Sequence, residues 1–152
     1  MVTSQQLDAS VIRFQSQPEA IDKLLNHLQS QQELLMDVLI GSHAELLTEE
    51  ELDYLLFLFL VIYSTFQQHS IIPTYSEDQI IQAEEASWQI INEFNNYEDA
   101  LSAFYTNIKN EELMEFIDLS IAPDDENEIN ITGPGRLILL AVLTSLSSLL
   151  SN

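Results

Sequence analysis

Histidines and carboxylates are the side chains of this chain best equipped for chemistry, and their spacing argues against most of it. The three histidines, His27, His43 and His69, lie far apart in sequence. No His-Glu-x-x-His segment occurs, nor a Glu-x-x-His pair of the kind that holds two irons inside a helical bundle. His43 and Glu45 are too close in sequence to share a helix face. Each histidine is therefore read as an ordinary surface or boundary residue. The adjacent Glu84 and Glu85 would do acid–base work only if one sat in a cleft with a raised pKa. A solvated helix edge is the simpler reading. Asp124, Asp125, Glu126 and Glu128 form an acidic run that could attract Ca²⁺. Counting from Asp124, an EF-hand loop requires Gly at position six and Glu at position twelve, and Ile129 and Gly135 stand there. No metal site and no cofactor are expected. Serine is abundant, but no G-x-S-x-G, P-loop or G-x-G-x-x-G segment accompanies it. A catalytic site assembled from distant residues is left open.

The carboxylates carry more information as a field than as catalysts. The 152 residues include 25 Asp plus Glu against four Lys plus Arg, a formal net charge of -21. Residues 1–47 contribute -4 and residues 48–152 contribute -17. Direct binding to nucleic acid is disfavoured, because phosphates require Lys and Arg. An anionic membrane surface is disfavoured for the same reason. A basic protein partner is electrostatically permitted, although the acids also serve simply to keep an apolar chain soluble. The absence of cysteine excludes disulfides and thiolate metal sites. The first residues lack the basic start and apolar core of a signal peptide. A cytoplasmic protein is the resulting expectation.

These side chains must be positioned by helices. Apolar content is 46%, and only three Gly and four Pro interrupt the chain, so an all-α fold is expected. At this length a single domain, residues 1–152, can build its own core. The expected architecture is a bundle of about six to seven helices around a central apolar helix, residues 48–69. Leu55 to Tyr63 is an unbroken apolar run of nine residues. Thr48 and Glu51 have capping-box spacing, and Glu49 to Glu51 complement the helix dipole. A membrane span over 54–66 is rejected, because 13 residues fall short of the about 20 required and no Lys or Arg flanks them.

Before this segment, Leu7, Val11 and Phe14 predict a first helix ending at Pro18. Ile21, Leu24, Leu25 and Leu28 form a second stripe that resumes at Leu35, Val38 and Leu39. Whether residues 18–40 make one helix or two is left open at Ser30 to Gln32. Gly41 is a plausible stop. After the apolar segment, Ser76 with Gln79 repeats the capping-box spacing and opens a helix to about Phe94. A further helix carries Ala100, Leu101, Phe104, Tyr105 and Ile108. Asn110 caps the next, which runs to about Ser120. The irregular piece from Pro123 to Gly135 leads into a last helix. Ala141, Thr144, Ser145 and Ser148 give that helix a small-residue face. Its neighbour would be the apolar helix or the same helix of a second subunit, which makes a homo-oligomer one reading.

The leading functional expectation is a non-catalytic protein-binding module of inhibitor, immunity or chaperone type for a basic partner. Its docking surface would be an acidic edge of Glu84, Glu85, Tyr97, Glu98, Asp99, Glu111, Glu112, Glu115, Asp124 and Asp125. Within it Tyr97 is the best exposed aromatic anchor. Two alternatives are a DNA mimic, with carboxylates in place of phosphates, and a bundle that holds a small apolar ligand between the apolar and C-terminal helices.

Overall fold

The computed structural model describes residues 1–122 and 130–151, and within them the chain is all-helical. Eight α-helices follow in order: α1 Ser4–Ser16, α2 Pro18–Gln31, α3 Glu33–Leu39, α4 Glu49–Gln67, α5 Glu77–Glu93, α6 Tyr97–Asn107, α7 Glu111–Ile121 and α8 Gly133–Leu150. A 3₁₀ segment, Gly41–Leu46, joins α3 to α4. The helix count exceeds the six to seven expected because residues 18–40, left open as one helix or two, divide in two.

Local chemistry explains where most helices begin. Thr48 accepts from the Glu51 backbone N–H while Glu51 accepts from that of Thr48, and Ser76 with Gln79 does the same. Thr3 and Gln6 make a third such box at α1. Asn96 and Asn110 cap α6 and α7, and Thr132 caps α8. Pro18 and Pro134 stand in the first turns of α2 and α8, where a missing N–H leaves no gap.

The break between α2 and α3 falls at Gln32. This side chain is 3% exposed. Its amide donates to the Pro73 carbonyl at 2.7 Å and to the Tyr63 hydroxyl at 3.3 Å, and its oxygen accepts from the Tyr75 N–H at 3.4 Å. The backbone leaves helical geometry there to aim the amide inward, with φ -134° and ψ 43°.

Helix α4 buries Leu55 and every residue from Leu58 to Phe66. Helix α8 is as deeply placed, with Leu139 to Leu143 and Leu146 fully buried. Each buried leucine removes enough apolar area to contribute about 2 kcal/mol before entropy is counted. Helix α8 packs against α3, α4, α5 and α7, and most extensively against α5. Helix α4 packs against α1, α2 and α8. The buried apolar side chains form one cluster running from Val2 to Leu150. By length and composition Gly133–Leu150 is long and apolar enough to cross a membrane, and 72% of it is buried within the protein.

Candidate functional site

Helices α6 and α7 bring several of the expected acidic residues together. Capped by Asn96, α6 starts with Tyr97, Glu98 and Asp99; capped by Asn110, α7 starts with Glu111 and Glu112 and continues to Glu115 and Asp118. Glu98, Asp99, Glu111, Glu112 and Glu115 are exposed, and Asp118 is half-buried. Asp118 was absent from the expected edge. Its carboxyl is pushed up from the ordinary aspartate value, first by burial, then by the negative charge of Glu98, with Glu115 adding to it. The Tyr105 hydroxyl donates to Asp118 and partly offsets the rise. Tyr105 is raised in turn by burial and by the charges of Asp118, Glu115 and Glu111. The Glu111–Glu115–Asp118 spacing, i, i+4, i+7, places all three on one helix face and was available in the sequence. The partnership with Tyr105 across two helices was not.

Tyr97 departs from its expected role. It is half-buried, its ring packs against the core, and its hydroxyl is buried with no hydrogen-bond partner among the described residues. Burial and the nearby Asp118 push its hydroxyl far above the usual tyrosine range. The Arg136 guanidinium lies 5.9 Å from the Tyr97 ring centroid, and the Arg136 Nε–H donates to the Ile121 carbonyl at 2.7 Å. Tyr97 is therefore a joint between α6 and the start of α8 and not an exposed anchor. Its neighbours Glu98 and Asp99, next to Asn95 and Asn96, suggested exposure, and packing decided otherwise.

The rest of the expected edge is divided. Glu84 faces His43, with Oε2 3.2 Å from Nε2, and the His43 ring lies 6.2 Å from that of Trp88. Only 12% of the His43 side chain and 20% of the Glu84 side chain are exposed. His43 is thus a paired boundary residue that ties the 3₁₀ segment to α5. Glu85 is exposed on α5. Glu112 accepts from the Ser4 backbone N–H at 3.1 Å and so faces the start of α1. Asp99 accepts from the Asn96 amide at 3.0 Å. Asp124 and Asp125 lie outside the described residues. No group of three or more potential metal-ligating side chains occurs among the described residues.

The small-residue face of α8 meets α5. Ala141, Thr144 and Ser145 are fully buried, and Ser148 is half-buried. The Ser87 hydroxyl lies 3.0 Å from both Thr144 Oγ1 and Ser145 Oγ. The neighbour beside Thr144 and Ser145 on this face is α5 of the same chain. Where α4 and α8 end, Phe66 and Leu150 line a cleft of about 300 Å³ together with His69 and Lys109. In comparisons with protein-family models, curated proteins and solved structures, the chain matches none.

Proposed function

We propose that the chain is a non-catalytic binding module for a basic protein partner, carried by helices packed about the apolar α4 together with α8. The observation that carries this reading is the group of like charges on α6 and α7. Asp118 sits half-buried beside Glu98 and Glu115, and burial first, then the charges of those two residues, hold its carboxyl above its ordinary value. Arg136, at the start of α8, is committed to the Ile121 carbonyl and the Tyr97 ring. A Lys or Arg from a partner would relieve the repulsion, so binding energy would come from a strain that the free protein retains. The acid excess favours such a partner over nucleic acid at long range. Burial of most of α8 supports a helix that packs inside the protein over one that spans a bilayer, and the lack of cysteine suits a reducing, cytoplasmic setting.

The test compares the natural chain with a variant carrying Glu98→Gln, Glu115→Gln and Asp118→Asn, each used to capture partners from a lysate at low and high salt. A partner retained by the natural chain at low salt, and lost by the variant, is the expected result. No partner at either salt, or equal retention by the variant, overturns the reading. Asp118→Asn alone has a second expected outcome. The folded chain holds the Asp118 proton more tightly than the unfolded chain, so the charged carboxylate lowers stability once pH rises above the ordinary value of 3.8. The substitution therefore raises the urea midpoint at neutral pH, and the gain disappears at pH values below 3.8.

A further inference from the structure

On the side of α7 that faces α1 and α4, a groove of about 540 Å³ runs between the three helices. Val11, Phe57 and Phe116 form its apolar lining and are only partly covered. Leu119 also lines it, with 64% of its surface in water, and joins the partly covered Val11, Phe57 and Phe116 in one apolar patch open to solvent. The charged residues of the lining are Asp8 and Glu115, and no Lys or Arg is among them. From α1 the groove is lined at positions 4, 8, 11 and 15, one face of a helix about 16 Å long. That length matches three turns of a second helix laid alongside.

Resting on the basic-partner reading above, we infer that this groove takes a basic amphipathic helix of the partner. Apolar side chains at i, i+3, i+4 and i+7 would enter between Phe57, Phe116 and Leu119, and flanking Lys or Arg would reach Asp8 and Glu115. Glu115 belongs both to this groove and to the group around Asp118, so one occupant would engage both sides of α7. The charge of the lining selects this occupant over a second copy of the chain. Another copy brings a net charge of -21 against two carboxylates.

The experiment uses the full chain and two synthetic peptides of about four helical turns. Both carry the same lysines; one has a leucine stripe at helical spacing, and the other has serine in place of those leucines. Calorimetric titration measures each against the natural chain, Leu119→Asp and, as a control on another helix, the exposed α3 residue Glu33 changed to Gln. The striped peptide should bind the natural chain and Glu33→Gln alike, and Leu119→Asp should weaken it by about tenfold or more. Circular dichroism of Leu119→Asp verifies folding, which an exposed position tolerates. If both peptides bind equally and Leu119→Asp changes nothing, the groove is not the site, while the acidic docking surface stands. Binding by neither peptide overturns both readings. A dimer seen by sedimentation of the free chain and dissolved by Leu119→Asp assigns the groove to a second copy and overturns the helix of a partner.

Discussion

Glu51 joins two helix starts through a single carboxylate. It is 1% exposed and accepts from the Thr48 N–H at 2.9 Å, from the Thr132 N–H at 2.8 Å and from the Thr132 hydroxyl at 2.9 Å. Burial disfavours its charge, but these four interactions, counting the Thr48 hydroxyl, outweigh burial and hold the carboxyl below the usual glutamate value. A group depressed on folding contributes stability above its unfolded value, here 4.5, and loses it as pH falls through the folded value. Glu51→Ala is expected to cost about 3 kcal/mol at neutral pH, because the donors of Thr48 and Thr132 lose their acceptor. Urea titrations across pH should also show that the variant lacks part of the acid-induced loss seen in the natural chain. Gly135 belongs to the same device. A Cβ there would run into the Glu51 carboxylate, which its hydrogen bonds prevent from moving aside. The Thr48–Glu51 half of this arrangement was legible, because capping acts between residues three apart. Thr132 is 81 positions away, and no local rule couples it to Glu51.

Between elements, polar contacts decide which helix faces meet. The hydroxyls of Ser87, Thr144 and Ser145 lie together between α5 and α8. Thr144 and Ser145 also donate to the Leu140 and Ala141 carbonyls of their own helix, so neither depends wholly on Ser87. Ser87→Ala should therefore cost only about 1 kcal/mol, whereas Ser87→Leu should cost about 3 kcal/mol by forcing α5 away from α8. Urea denaturation of the two variants checks the difference, and equal losses would show that the helices do not need close approach there. The stripe of small residues was visible in the sequence, and the identity of its neighbour was not. Small residues permit close approach by any helix, and only the fold supplies α5. The break at Gln32 is similar. Two helical stripes separated by a polar stretch were legible, but the reason for a break is the reach of one amide to Pro73 and Tyr75, some 40 residues on.

At the scale of the whole molecule, repulsion is largely uncompensated. Among the described residues the one ion pair within 4.0 Å is His43 with Glu84, and it is attractive only when the histidine is protonated. Added salt has little attraction to screen and much repulsion, so the melting temperature should rise by about 5 °C between low and high salt. A fall in calorimetric melting temperature with salt would show that local attractions dominate. Composition and periodicity determined that the chain is helical, where most helices start, and that Leu55 and residues 58–66 are buried, because caps and apolar stripes operate over a few residues. The same rules underrated α8, whose length and hydropathy also suit a membrane, since burial against α4, α5 and α7 is a property of the fold. The acidic field was likewise written in the composition. Tertiary structure alone sorted the carboxylates: it turned Glu84 to His43, sealed Glu51 between two helices and set Asp118 among like charges beside an open groove. Charge is additive along a chain, but the work each charge does depends on distance and desolvation, and folding sets both.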